Sequence, residues 1–416
     1  MILVHLADLH LGFRAYERAE GGRNTREGDV ADAFLRAVDE VVRLRPGVVL
    51  IAGDVFDRPD PPPGALVTLT RGLETVRDAL PGTPVLIAAG ARDTPVRPGD
   101  PGVLAALDTL PGVAAASEAP RVLRVGELSV AMLPHRAALD PDRERPAPDA
   151  DARWNVLLTH ARAASAADER VRARSPRARL AQGAAARGDG ASRGDGAARG
   201  RRAPSAKRTA RGRGQPRPAA RTAPALGAID PAAWDYVALG GEHVQRAPLP
   251  HVRWAGSLER VGWRPWDEAL EEKGFLSWDL EAGAARFHPV SVRAVVSLAP
   301  MRVPAGQAER LRRRVREVTD EVPGGIDGKI VRLRVHGAEP ADLAGLGDLL
   351  PSLRERALHL SLGLDDAAAR APAAPPGDPL HPRLAELLVE EGLAPEDAAA
   401  RAGALLGEVP AEAGAR

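Results

Sequence analysis

The sequence predicts an α/β fold, a largely parallel sheet with helices packed outside it. Three observations carry this. Short apolar runs at residues 2–7, 48–52 and 84–89 alternate with amphipathic stretches long enough to be helices. Each run is apolar at consecutive positions, His5 apart, as in strands buried on both faces. Each then runs into polar residues: Asp8-Leu9-His10, Gly53-Asp54 and Gly90-Ala91-Arg92-Asp93. Open α/β sheets place their sites at such C-terminal strand ends.

The first helix is expected over residues 29–45. Val30, Ala33, Phe34, Ala37, Val38, Val41 and Val42 follow its i, i+3, i+4, i+7 spacing, and Pro46 ends it. A second helix is expected over residues 64–80. Further strands are expected at residues 128–133, at 155–159 ending on His160, at 235–239 leading to Gly240-Gly241-Glu242-His243, at 252–255 and at 274–280. From about residue 291 to 365 a smaller α+β unit is expected. It has helices near residues 308–322 and 340–350 and strands at 330–335 and 358–362. A Pro/Ala linker (residues 371–378) then precedes two short amphipathic helices, near residues 382–391 and 395–406, in a helical C-terminal tail (residues 366–416).

A length of 416 residues suits two or three domains. Hydrophobic residues make up 44% of the chain and aromatics only 3%, so the core must rest on aliphatic side chains. The absence of cysteine excludes disulfides, zinc–thiolate sites and thiol catalysis. A metal would be held by Asp, Glu, His, Asn or water, which suits Mn, Fe, Mg or Zn. The N-terminal segment MILVHLADLHLG lacks the basic start and long apolar stretch of a signal peptide, and no apolar run is long enough to span a membrane. A soluble, cytoplasmic protein is expected.

The net charge of +1 hides a split. Residues 162–226 hold 17 Lys/Arg and 4 Asp/Glu, a net +13, which leaves −12 on the rest of the chain. This stretch has no hydrophobic periodicity and repeats RGDGA at residues 187–191 and 193–197, so a disordered Arg/Gly/Ala-rich insertion is expected. Two readings stay open. Such a tether binds nucleic acid through counterion release. Alternatively, a chain this rich in Ala, Gly, Pro and Arg, with Lys207, Lys273 and Lys329 as its only lysines, reflects a GC-rich coding bias that writes such tracts into surface loops.

The chemistry-bearing residues sit at strand ends. Asp8 and His10 lie two apart in an extended segment and so share a face. Gly53 lets the backbone turn tightly before Asp54. His160 and His243 follow later strands, and packing alone does not account for this ordered set of Asp, His, Asp, His and His.

In their order, ADLHLG, AGDVFDRPDPP, LLTHA and DYVALGGEH resemble the motifs of the SbcD-type, calcineurin-like metallophosphoesterases. WAGSLERVGW (residues 254–263) and EEKGF (residues 271–275) extend the resemblance. It covers residues 1–161 and 227–290 well and the small unit loosely. The resemblance implies a metallophosphoesterase-type sandwich of two sheets flanked by helices, a small α+β capping domain over residues 291–365 and a helical tail that meets a partner. It also implies two Mn ions that cut phosphodiester bonds, DNA as substrate and an SbcC-like SMC-family ATPase as partner. A homodimer stays open.

Carried over by residue, the resemblance implies a first metal held by Asp8, His10, Asp54 and His243. The second metal would share Asp54 and use His160. Its other two ligands fall on Ala91 and Gly241, which have no donor side chain. The family's catalytic histidine falls on Arg92, and a guanidinium cannot act as a general acid or base. The expectation is a nuclease subunit with impaired or absent catalysis that binds one ion and serves in DNA binding or scaffolding. Two alternatives are an active phosphodiesterase using one tightly bound ion and a metallophosphoesterase acting on a non-nucleic-acid ester. Arg92 itself reads either as a grip for a DNA phosphate or as drift after loss of activity. Asp57 is expected to orient its loop. His5, His135, His251 and His288 are expected to be structural or surface residues. Trp254, Trp263 and Trp266 read as base-stacking platforms or as core.

Overall fold

A computed structural model describes residues 1–97, 99–140, 143–161, 230–262 and 265–365. The basic insertion expected at residues 162–226, Trp263, and the linker and C-terminal helices expected within residues 366–416 lie outside the described residues.

The chain begins with β1 (Ile2–Leu6) and a small hairpin, β2 (Ala19–Glu20) and β3 (Arg23–Asn24). Then come α1 (Thr25–Leu44), β4 (Val48–Ile51), α2 (Pro63–Ala79), β5 (Val85–Ala88), α3 (Gly102–Leu107) and β6 (Val113–Ala116). A second run holds β7 (Arg121–Val125), β8 (Leu128–Leu133), α4 (His135–Leu139), β9 (Trp154–His160), β10 (Tyr236–Gly240), β11 (Arg246–Leu249) and β12 (Val252–Trp254). The hairpin β13 (Gly274–Asp279) and β14 (Ala284–Pro289) returns to the first sheet.

These strands form two six-stranded sheets, in the orders β14-β13-β1-β4-β5-β6 and β11-β12-β10-β9-β8-β7. Strands β1, β4, β5 and β6 pair in parallel, as do β8, β9, β10 and β12, while β13, β14, β7 and β11 are joined antiparallel. The apolar runs explain how the sheets stack. Leu3, Val48, Leu50, Leu86 and Ala88 of the first sheet meet Leu128, Val130, Met132, Val156, Leu158 and Tyr236 of the second in one cluster. Their neighbours Val4, Val49, Ile51, Val85 and Ile87 point the other way, onto α1 and α2. Alternate residues thus serve opposite faces, and both faces are covered. The result is a metallophosphoesterase-type sandwich of mixed sheets flanked by helices.

Helix α1 starts at Thr25 rather than at residue 29. The Asn24 side chain accepts from the Arg26 and Glu27 amides at 3.1 and 3.4 Å, an N-cap that adds a first turn outside the apolar stripe. Strands β6 and β7 were not expected. In β7, Arg121 and Arg124 interrupt the apolar positions on an edge strand, where only one side needs burial.

The small α+β unit contains β15 (Val295–Ser297), β16 (Met301–Arg302), α5 (Ala308–Asp320), β17 (Ile330–His336), α6 (Leu349–Arg356) and β18 (His359–Asp365). Strand β17 pairs in parallel with β15 and β16 on one side and with β18 on the other. One helix over residues 340–350 was expected. Instead a 3-10 segment, Pro340–Leu346, is separated from α6 by Gly347, whose φ of 49 and ψ of −123 cannot continue a helix. Several contacts join this unit to the sandwich. Arg293 clamps Asp29 with two bonds of 2.6 Å, Arg18 donates to the carbonyls of Arg354 and Ala357, and the Tyr16 ring stacks on His359 at 4.0 Å. Among the described residues, no helix is long and apolar enough to cross a membrane.

Candidate metal centre

The parallel strands of both sheets deliver their polar ends to one place. The loop after β1 is laced to the loop after β4: Asp8 N–H donates to Gly53 O at 3.0 Å and His10 N–H to Asp54 O at 2.9 Å. From the other sheet, His160 ends β9, and Gly241 and His243 follow β10. Asp8, His10 and Asp54 all have left-handed backbones, with φ of 50, 48 and 48. A non-glycine residue there costs on the order of 1–3 kcal/mol, and such strain clusters at ligand sites. Three of the five non-glycine residues with positive φ among those described are thus the carboxylates and imidazole expected to bind metal.

The side chains assemble as two triads. Donor atoms of Asp8, His10 and His243 lie within 4.8 Å of one another, and so do those of Asp8, Asp54 and His160. Asp8 is the residue common to both groups, whereas the resemblance implied sharing through Asp54. Asp54 still touches both: its Oδ2 lies 3.8 Å from His10 Nε2 and 3.6 Å from His160 Nε2.

Each of the three imidazoles is held through its Nδ1. That of His10 lies 3.1 Å from Asp57 Oδ1, that of His243 3.3 Å from Glu268 Oε1, and that of His160 3.0 Å from Ala52 O. An Nδ1–H donated in this way leaves Nε2 as the lone pair, the tautomer that a metal-binding histidine needs. His10 Nε2 is buried and has no hydrogen-bond partner. An orphaned acceptor beside two buried carboxylates fits a divalent cation held by oxygen and nitrogen.

The electrostatics agree with that chemistry. Burial would lower the His10 and His160 pKa, but the carboxylates of Asp54, Asp8 and, for His10, Asp57 outweigh it and raise both. Burial raises the Asp8 pKa against the pull of His160 and His243. For Asp54, burial is overcome by His160 and His10, then by the amide and guanidinium of Arg92, so its carboxyl is held down. The buried carboxylates thus favour positive charge on the imidazoles between them.

The substituted positions lie on the Asp54–His160 side. Arg92 is exposed, and its N–H donates to Asp54 Oδ1 at 2.7 Å. A Cβ at Gly241 would lie 3.3 Å from His160 Nε2, at a strained φ of 104. The Gly241 N–H donates instead to both oxygens of Asp8 at 3.0 Å.

Two supporting residues escaped the sequence reading. Asp93 is buried and accepts from the amides of Gly90, Phe56 and Val55 at 2.9, 2.9 and 3.2 Å. Burial and the neighbouring Asp54 charge push its pKa up to about 6. Glu268 supports His243, and its carboxyl is held down at about 2: burial opposes this, while His243 and Lys273 bring it about. Asp57, expected to orient its loop, orients the His10 ring.

The other singled-out residues lie apart from the donor groups or behind them. His5 bonds the Tyr236 hydroxyl at 2.9 Å, His288 bonds Ser277 at 2.9 Å, and His251 faces Pro231 O at 3.0 Å. His135 is buried, its ring edge-on to His160 at 6.3 Å. Trp254 is buried and donates to Ala161 O, and Trp266 packs at the junction with the small unit.

No family model matches the chain. Over 95 residues it is 35% identical to the DNA double-strand break repair protein Mre11 of Methanococcus maripaludis, covering 23% of this chain and 24% of that one. It is 42% identical over 96 residues to the Mre11 protein of Aeropyrum pernix, covering 22% and 21%, and 34% over 107 residues to that of Methanocaldococcus jannaschii, covering 26% and 27%. These matches mark the chain as a calcineurin-like metallophosphoesterase related to the SbcD and Mre11 nucleases. The matched stretches span about a quarter of the length of these curated relatives. The Asp and His donors gathered around Asp8 have the chemistry to hold a divalent metal.

Proposed function

We propose that this protein is a nuclease-family subunit of an SbcCD-like DNA-repair complex whose catalytic power is lost or much reduced. It binds DNA and one cation and serves as a partner of an SMC-family ATPase. The observation that carries this reading is the asymmetry of the site. Asp8, His10 and His243 remain gathered with their supports, while Ala91, Arg92 and Gly241 stand where the resemblance implies two ligands and the phosphate-facing histidine.

A bound divalent ion, Mn being the first candidate, would polarise a phosphate and acidify a water. The residues present hold such an ion and keep the histidines in the ligand tautomer. Nothing at position 92 can pass a proton to a leaving group, since arginine stays charged. One lost electrostatic group costs about 100- to 1000-fold in rate, so several leave little activity. Arg92 offers a phosphate a bidentate grip instead. The DNA and ATPase assignments rest on the resemblance, and the basic segment at residues 162–226 supplies the matching charge.

A second reading, an active phosphodiesterase, is favoured by the second triad. Asp8, Asp54 and His160 offer three donors even without side chains at positions 91 and 241. Mn-dependent digestion of end-labelled linear duplex DNA separates the two. The natural protein, Asp54→Ala and a restored Ala91→Asn, Arg92→His, Gly241→His variant are compared. The proposal expects cutting by the restored variant alone. Cutting by the natural protein that Asp54→Ala abolishes would establish the second reading.

A further inference from the structure

Residues 254–260 and 271–275 contribute no side chain to either triad, yet in the fold they meet directly behind His243. Glu268 Oε1 lies 3.3 Å from His243 Nδ1, and Glu268 Oε2 is paired with the Lys273 ammonium. The same ammonium donates to the His243 carbonyl at 2.8 Å and to Ser257 Oγ at 3.1 Å. Lys273 therefore grips both the backbone of His243 and the partner of its ring. Arg260 fixes the segment that carries Glu268, donating to the carbonyls of Glu268 at 2.9 Å, Ala269 at 3.2 Å and Glu271 at 2.9 Å. Gly262 leaves the room: a Cβ there would stand 2.8 Å from Glu268 Oε1 and 3.6 Å from His243 Nδ1.

We propose that Glu268, anchored by Lys273, is a positioning residue of the metal centre that fixes the tautomer and orientation of the His243 ring, so that its Nε2 faces Asp8 and His10. The proposal rests on the reading of Asp8, His10 and His243 as ligands. Two features support it. The His243 side chain is 27% exposed, against 3% for His10, so packing alone does not hold its ring. The Glu268–His243 contact also mirrors the Asp57–His10 contact on the facing ligand. A carboxylate behind each imidazole fixes the ring and raises its basicity toward a cation. The competing view makes Glu268–Lys273 a buried ion pair that serves the fold alone.

Glu259 provides the control. It is charged and still more deeply buried, accepts from Arg26 at 3.3 Å and from the Arg293 amide at 3.2 Å, and lies in the same network without touching His243. The test is Mn(II) titration of the metal-free full chain, counting free Mn by its electron paramagnetic resonance signal, with melting followed in parallel. Glu268→Gln is expected to weaken Mn binding about 10- to 100-fold. Gly262→Ala keeps every charge and remains informative if Glu268→Gln folds poorly. It is expected to show a smaller loss in the same direction. Glu259→Gln is expected to lower the melting temperature and leave the Mn affinity unchanged. Unchanged affinity in both Glu268→Gln and Gly262→Ala, with the natural protein binding Mn, would overturn the positioning role and spare the metal centre. An equal loss in Glu259→Gln would assign the pair to the fold and overturn it too. Failure of the natural protein to bind Mn would remove the ligand reading and the positioning role together.

Discussion

On one side of Asp8, His10 and His243 each keep Nδ1 on a carboxylate, Asp57 or Glu268. On the other side, His160 is held by a backbone carbonyl, and the positions around it present a methyl group, an exposed guanidinium and a glycine. Both sides sit on the same strand ends of the same sandwich, so the scaffold does not account for the difference. Side chains that could hold a cation, and the residues behind them, are in place. Those expected to complete a second ion and face a leaving group are absent. In the proposed reading, holding a cation and cutting a phosphodiester are separable properties of this site, and the comparison can be attacked from either side.

The largest effect is expected at the ligands themselves. His10→Ala or His243→Ala should weaken Mn binding by more than about 100-fold, beyond what loss of a supporting residue alone costs. His160→Ala should leave that ion in place. Calorimetric Mn titration checks this, and equal losses in all three variants would erase the distinction between the sides.

Next in size is a change of stability on the substituted side. Asp93→Ala strands three buried amides, each worth about 1–3 kcal/mol, so denaturant unfolding should show a loss of about 3 kcal/mol or more. A loss near zero would show that the loop of residues 90–93 is not anchored through this carboxylate.

A pH effect should follow. His10 and His160 have pKa values raised above the usual 6.5, so the folded state keeps protons that the unfolded chain has released. Their stabilisation is present below pH 6.5 and is lost as pH rises through the raised values. Mn takes the place of those protons. The rise in melting temperature on adding Mn should thus be larger at pH 8 than at pH 6, and the opposite order would contradict the preformed cation pocket. The smallest effect is expected at Arg92. Arg92→Ala should weaken binding to duplex DNA at low salt and flatten the salt dependence by about one phosphate contact. Unchanged binding would leave the guanidinium without a role.

Much of the sandwich was legible in the sequence because its central strands are covered on both faces. Val48–Ile51 is apolar without interruption and Leu128–Leu133 is broken only by Ser129, and the polar residues at the ends of β1, β4, β9 and β10 stood out against them. Edge strands such as β7 were not legible, since half-exposed strands carry arginine freely. The start of α1 was missed because an Asn cap, not an apolar position, sets it. Within the site, the donor residues announced themselves by type and place, whereas their supports did not. Glu268 stands among Asp267, Glu271 and Glu272 in one acidic stretch, and only the fold shows which carboxylate reaches His243. Asp93 stood in the polar strand end of residues 90–93 with no role of its own. Its three amide contacts come from two loops that the sequence does not reveal to be neighbours.

The most direct test of the central claim is a count of Mn ions bound tightly by the metal-free protein, beside the Ala91→Asn, Arg92→His, Gly241→His variant. The account predicts one ion for the natural chain and two for the restored one. Two tight ions in the natural chain would show that Asp8, Asp54 and His160 suffice for the second, and the asymmetry on which the functional reading stands would be gone.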